Sequence, residues 1–306
     1  MQGRFTGVYC AAVTPMRGQQ IDTEALQKHL TTLAAEGCDG VLLMGTTGEG
    51  PSLSLAERET IMKAAVQANT GLKLLAGTGT PSLPETIEAT RRAFELGAEG
   101  VVVVPPYYFR NASVEGLRAF YATLIEQAVP EDGALLAYHI PPVSGVAVPR
   151  DILTPLVDQF GPRMAGVKDS GGQLEYSIDM ASSLPSLDVF VGSERLLLAG
   201  LQAGAVGCIT AGANVLAPYC VAVYRAWKDG QPGEALQERL TAARLMIEAV
   251  APAPATYKGL LALRHGGDGW DVRLPLLNHP SEVVDRLVER LQALDADALP
   301  WLAAVG

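Results

Sequence analysis

The stretch Met164-Ala165-Gly166-Val167-Lys168-Asp169-Ser170-Gly171-Gly172 reads as a short buried strand with one lysine near its end and a glycine-bearing loop behind it. A lysine at the mouth of an apolar pocket is a reagent. Lost hydration disfavours the ammonium, and the free amine attacks a ketone to form a Schiff base. Two other stretches hold groups that such chemistry uses. Gly45-Thr46-Thr47-Gly48-Glu49-Gly50 offers consecutive N–H and hydroxyl donors that suit a carboxylate, although an ordinary strand-to-helix turn with capping threonines has the same composition. Tyr138 offers a phenol that can donate and accept a proton; read alone, it is equally a core tyrosine. Side chains alternate along a strand. If Lys168 faces inward, Tyr138 is placed inward with it, Asp169 faces away, and His139 is read as a satisfied structural histidine.

The elements that would position these groups recur with a period of about 30 residues. Apolar runs at 7–13, 41–44, 72–76, 101–104, 134–138, 164–168, 188–191 and 205–210 read as strands. Helical periodicity covers 22–36, 54–68, 82–96, 113–128, 149–159, 174–184, 195–203 and 216–227. Asp22 is a helix cap and Gly37 a stop, while Ser54 with Glu57 and Ser82 with Glu85 fit the capping-box pattern. Strand–helix alternation repeated eight times predicts an α/β fold, a (β/α)8 TIM barrel. An open doubly wound sheet fits less well, because no strand ends in G-x-G-x-x-G; Gly77-Thr78-Gly79 is only a fragment of that pattern. Past residue 230 the strands stop. Helices at 233–250, 256–264 and 281–294, broken at Ala251-Pro252-Ala253-Pro254, predict a division into a barrel (1–230) and a helical extension packed on it (231–306).

Bulk properties narrow the partners. The chain has 306 residues, 48% of them hydrophobic, and a formal net charge of -10, which disfavours nucleic acid and anionic membrane. Cys10, Cys38, Cys208 and Cys220 form no C-x-x-C pair and read as small buried thiols of a reducing, cytoplasmic setting. The uncharged run between Arg195 and Arg225 is interrupted by glycines, Asn214 and Pro218, so it reads as buried soluble structure and not a membrane span. Four histidines (His29, His139, His265, His279) show no H-x-H or H-E-x-x-H spacing, which gives a metal-dependent aldolase little support.

A parallel barrel carries its active site at the carboxyl ends of its strands. There stand, in order, Gly45-Thr46-Thr47-Gly48-Glu49, Pro106-Tyr107-Tyr108, Tyr138-His139-Ile140-Pro141, Gly166-Val167-Lys168-Asp169, Gly192-Ser193-Glu194 and Ile209-Thr210. The first four of these pieces resemble the dihydrodipicolinate synthase / N-acetylneuraminate lyase superfamily of Schiff-base barrel enzymes, and the resemblance covers nearly the whole chain. The resemblance implies that Lys168 forms an imine with pyruvate or another 2-oxo acid. Thr47 and neighbouring backbone N–H groups such as that of Gly48 would hold its carboxylate. Tyr138 would be the general acid/base, relayed through Thr46 to Tyr108 from a neighbouring subunit. The backbone oxygen of Ile209 would face the site. The resemblance further implies a homotetramer built as a dimer of dimers, and neither metal nor organic cofactor.

Two departures narrow the function. Synthases of the superfamily usually carry Asn after the catalytic tyrosine, where this chain has His139. They usually carry Arg two residues after the motif's proline, to bind aspartate semialdehyde, where this chain has Val143. Loss of that guanidinium removes bidentate carboxylate recognition. The expectation is a class I aldolase or lyase cleaving a 2-keto-3-deoxy sugar acid or a 4-hydroxy-2-oxo acid. Gly192-Ser193-Glu194 resembles the corresponding piece of such aldolases, with Glu194 either bonding substrate hydroxyls or simply capping a helix. The alternatives are dihydrodipicolinate synthase itself, a dehydratase working through the same imine, and a non-catalytic barrel that binds an oxo acid.

Overall fold

Among the residues described by the computed structural model, 4–295 and Trp301, eight parallel strands close into a barrel. They are β1 (Gly7–Ala11), β2 (Gly40–Leu43), β3 (Lys73–Gly77), β4 (Gly100–Val103), β5 (Leu135–His139), β6 (Met164–Asp169), β7 (Asp188–Val191) and β8 (Gly207–Thr210). Each pairs with the next in sequence, and β8 closes on β1. The outer ring consists of α1 (Thr23–Ala35), α2 (Leu55–Ala68), α3 (Leu83–Glu95), α4 (Val114–Ala128), α5 (Arg150–Phe160), α6 (Leu174–Ser183), α7 (Leu197–Gln202) and α8 (Ala213–Lys228). Helices on one side and barrel interior on the other bury both faces of each strand, which is why the strands are continuous apolar runs. This is the fold expected from the strand–helix alternation.

The interior is packed. Phe5, Tyr9 and Phe190 meet edge to face across it, with the Tyr9 and Phe190 rings 5.4 Å apart. The Tyr9 ring explains Gly40 opposite it, since a Cβ there would lie 2.2 Å from a ring carbon. Leu42, Leu75, Leu136 and Ile209 belong to the same buried interior cluster.

Side-chain caps set the starts of α1 to α4. Asp22 accepts the Ala25 N–H at 2.9 Å, and Ser54 with Glu57 forms a full capping box. At α3 only half of the predicted box forms. Ser82 accepts the Glu85 N–H, but its own N–H goes to the Thr80 hydroxyl at 3.1 Å, while that hydroxyl also reaches the Glu85 carboxylate at 3.3 Å. β1 is shorter than predicted because the Val13 N–H leaves the sheet to donate to Asn214 Oδ1. The helix predicted from 195 opens as a 3-10 turn, Glu194–Leu196. Small elements not foreseen are a hairpin of Met16–Arg17 with Gln20–Ile21, a helical turn, Pro141–Ser144, directly after β5, and 3-10 turns at Gly50–Ser52 and Gly161–Arg163.

After α8 come α9 (Glu234–Glu248), α10 (Ala253–His265) and α11 (Ser281–Asp295). Gln237 of α9 clamps the start of α7: its amide oxygen accepts the Leu198 N–H and its nitrogen donates to the Glu194 carbonyl, both at 2.9 Å. That clamp carries the last turns of α9 over the strand ends. All four cysteines are buried and free. Among the described residues, no helix is long and apolar enough to cross a membrane.

Candidate active site

β6 does not alternate evenly. Its register with β5 pairs Leu135 with Met164 but Leu136 with Gly166, so Ala165 is an extra residue. Met164 and Val167 face the helix layer, whereas Ala165 packs in the barrel interior. Strict alternation from Ala165 would turn Lys168 outward; the bulge restores it to the inside, in register with Tyr138. Lys168 is 4% exposed, and its amine lies 4.3 Å from the Tyr138 ring centroid. Among the described residues, no acidic side chain pairs with that amine.

Asp169 does face away, as expected. It accepts the Ser177 hydroxyl at 2.6 Å and the Gly171 N–H at 2.9 Å, which fixes the loop after β6. His139 is structural, again as expected. It accepts the Val148 N–H at 3.1 Å and stacks on Tyr176 at 3.8 Å, and burial pushes its imidazole pKa down.

The loop after β2 is held from behind. Glu49 sits in the left-handed region at φ 55, and its carboxylate is paired with Lys258 of α10 at 2.5 Å and accepts the Arg273 N–H at 2.7 Å. The Arg58 guanidinium ties the Gly50 and Gly77 carbonyls, and the Thr14 hydroxyl holds the Gly48 carbonyl. Gly50 must be glycine, because a Cβ there would lie 1.9 Å from the Met44 carbonyl. With its rear so anchored, the loop presents Thr46 and Thr47 to the cavity.

That cavity, about 410 Å3, is lined by Thr46, Thr47, Tyr138, Lys168, Ser170 and Gly192, among others. Burial raises the Tyr138 phenol, but the positive charge of Lys168 and hydrogen bonds with Thr46, Ser170 and Lys168 outweigh it, setting its pKa below the ordinary tyrosine value. A phenol so placed exchanges protons readily with a group held at the lysine.

Of the residues singled out from sequence, Lys168, Tyr138, Thr46, Thr47 and Gly192 meet in this cavity. Four do not line it. Gly48 lies behind the loop, where a Cβ would meet the Ala12 carbonyl at 2.8 Å. Ile209 is fully buried in the interior cluster. Glu194 is a correction: it is fully buried, takes the Thr210 hydroxyl and pairs with Arg244 at 3.3 Å, so its carboxylate has no access to substrate hydroxyls. Tyr108 stands apart on the surface, 76% exposed beside Phe109.

Sequence reading missed Ser170, Arg195, Arg244 and Glu248 at this cavity. Ser170 was findable as the hydroxyl next to Asp169 at the strand end. Arg244 and Glu248 come from α9, beyond the repeating units, and carried no such signal. Among the described residues, no cluster of three or more His, Cys, Asp or Glu side chains is arranged to hold a metal. His29 and His265 pack with Trp270, and His279 bonds Thr256.

A closed parallel barrel with a buried lysine at one strand end and a tyrosine facing it from the adjacent strand defines the class of Schiff-base barrel enzymes. Comparison with known proteins agrees with this class. The profile of the dihydrodipicolinate synthetase family matches residues 4–294. An uncharacterized DapA-like lyase of Chloroflexus aurantiacus is 36% identical over 296 residues, covering 96% of this chain and 98% of that one. The 4-hydroxy-tetrahydrodipicolinate synthase of Methylacidiphilum fumariolicum SolV superposes with a TM-score of 0.88 at 27% identity, covering 99% of each chain. The chloride-inhibited dihydrodipicolinate synthase of Acinetobacter baumannii, solved in complex with pyruvate, has a TM-score of 0.85 at 27% identity, covering 94% of this chain and 98% of that one. The chain belongs to the dihydrodipicolinate synthetase family, whose members are class I aldolases and lyases.

Proposed function

We propose that the protein is a pyruvate-forming Schiff-base aldolase that cleaves a 2-keto-3-deoxy sugar acid or a 4-hydroxy-2-oxo acid. The observation that carries this reading is Lys168 facing Tyr138 at 4.3 Å inside one cavity, without an acidic partner for the amine among the described residues. The complex of a family relative with pyruvate supports a 2-oxo acid as the common part of the substrate.

Lys168 passes a proton to the Tyr138 oxygen and adds to the C2 ketone; loss of water leaves a protonated imine. Thr47 and its neighbouring N–H groups hold the adjacent carboxylate. Tyr138 gives the proton from Lys168 to the oxygen that leaves as water, is thereby ionised again beside Thr46, and takes the proton of the C4 hydroxyl. The C3–C4 bond breaks, its electron pair moves into the imine as an enamine, and the aldehyde leaves. Protonation at C3 and hydrolysis release pyruvate and return the amine. Tyr108 serves a neighbouring subunit, which accounts for an exposed aromatic pair on a family enzyme. The assembly is then a homotetramer, with a solution mass four times the 32.2 kDa chain. Residues 1–230 form its catalytic barrel and 231–306 its extension, of which 1–3, 296–300 and 302–306 lie outside the described residues, and no cofactor takes part.

Val143 disfavours the synthase alternative. It lines the cavity where synthases of the superfamily usually place an arginine, and it has no donor for a second substrate's carboxylate. The test is borohydride reduction in the presence of pyruvate, read by peptide mass spectrometry. A reduced pyruvyl adduct on Lys168 is expected; an unmodified lysine overturns the mechanism. Pyruvate release from a panel of 2-keto-3-deoxy acids, 4-hydroxy-2-oxoglutarate and sialic acid, with aspartate semialdehyde condensation run alongside, identifies the partner aldehyde.

A further inference from the structure

The cavity that holds Lys168 has a second charged group in its lining, supplied by Arg195 ahead of α7 and by Arg244 and Glu248 of α9. The Glu248 carboxylate bridges the two guanidinium groups. Arg195 Nη1 lies 3.2 Å from Glu248 Oε2, and Arg244 Nη2 lies 3.5 Å from Glu248 Oε1. One carboxylate, one oxygen to each arginine, is the arrangement that two arginines offer an acid. From this juxtaposition we infer that the Arg195–Arg244 pair binds a second carboxylate, at the end of the substrate remote from its ketone, with Glu248 holding the place until substrate arrives. The inference rests on the reading of Lys168 as the imine-forming residue and deepens it: the substrate is a 2-oxo dicarboxylic acid.

The two arginines differ in how they are held. Arg244 is rigid: its Nη1 meets Glu194 at 3.3 Å and donates to the Tyr257 hydroxyl, and its buried Nε has no partner. Arg195 is solvent-exposed and meets Glu248 with both side chains 44% exposed. An ion pair that open to solvent is worth little, so an incoming carboxylate displaces Glu248 at small cost. The alternative acid, Glu194, does not compete for the ligand, because it is sealed beneath Arg244. Elsewhere on the wall, Ile140, Pro142, Val143 and Leu196 present no charge to a remote acid group. A neutral polyol tail would leave the arginines with Glu248 and gain nothing. A phosphate dianion would bring more charge against the displaced Glu248 than a carboxylate does.

Steady-state cleavage by the full-length protein tests this with three probes: 4-hydroxy-2-oxoglutarate, 2-keto-3-deoxygluconate and 2-keto-3-deoxy-6-phosphogluconate. The dicarboxylate is expected to have a kcat/KM about tenfold or more above the monocarboxylate with its neutral tail. In Arg195→Gln its KM rises by about tenfold with kcat within about twofold, while the monocarboxylate's KM barely moves. Glu248→Gln removes the placeholder and lowers the dicarboxylate's KM by about threefold. Equal effects of Arg195→Gln on all three probes, no effect on any, or preference for the phosphorylated acid overturns the inference. Borohydride trapping of pyruvate on Lys168, run on the same preparations, separates the two failures. If trapping succeeds and the arginine variant changes nothing, only the carboxylate site is lost; if trapping fails, the imine reading is lost with it.

Discussion

Lys258 and Lys168 are sealed from solvent to nearly the same degree, 1% and 4% exposed, but their surroundings differ. Lys258 lies 2.5 Å from the Glu49 carboxylate and donates to the Asp271 carbonyl at 2.6 Å. Lys168 has a phenol and its ring, and no acidic partner among the described residues. The first lysine is structural: it joins α10 to the rear of the Thr46–Thr47 loop. The second lines the cavity beside Tyr138. A buried ion pair gives up solvation for fixed geometry, so Lys258 sets the shape of the site that Lys168 is proposed to serve.

Variants at the two lysines should separate these roles. Lys168→Ala is expected to reduce turnover by at least about four orders of magnitude, with no fall in melting temperature, because it leaves no carboxylate unpaired. A large loss of stability in that variant would make Lys168 a structural lysine too. Lys258→Met should do the reverse. It strands Glu49 and costs about 3–5 kcal/mol in chemical denaturation, and adding Glu49→Gln should recover part of that loss. Tyr138→Phe keeps the ring beside Lys168 but removes the proton carrier. A kcat fall of about 10²–10³-fold is expected, with the borohydride adduct still forming.

His29 shows what burial without an acidic partner costs a base. Burial outweighs its hydrogen bond with Asn214 and lowers its pKa from 6.5 to about 3. Because the folded value is the lower one, the stability contributed by the neutral ring is complete above pH 6.5 and is lost as pH falls toward 3. Between pH 6.5 and 5 that loss amounts to roughly 2 kcal/mol. Denaturation at pH 7 and pH 5 measures it, and His29→Gln should flatten the difference. The smallest effect expected is that of Ser170→Ala. It removes one of the hydrogen bonds that lower the Tyr138 pKa, so kcat should drop about threefold and the limb of the pH–rate profile that reports the phenolate should move to higher pH.

Much of the barrel was legible because its signals are local. The strands are apolar runs bounded by glycines, Ser54 and Asp22 mark helix starts within one turn, and Lys168 is the one basic residue in a buried run. The Thr46–Thr47 loop and Tyr138 were placed at the site by the same strand-end rule. Two parts of the site were not legible. The inward aim of Lys168 depends on a bulge at Ala165, and a one-residue shift in pairing leaves no mark in the strand's composition. The sealing of Glu194 depends on Arg244, 50 residues away on another helix.

The sequence by itself determined the repeating strand–helix order, and with it the ring of chemically active residues at one end, because periodicity and caps act between neighbours in the chain. Tertiary structure alone decided which carboxylates are paired: Glu49 with Lys258, Glu194 with Arg244, Glu248 with two arginines, and none with Lys168 among the described residues. Charge pairing acts through space over a few ångströms. Partners more than 200 residues apart, such as Glu49 and Lys258, meet only once the barrel has closed and its last helices have docked.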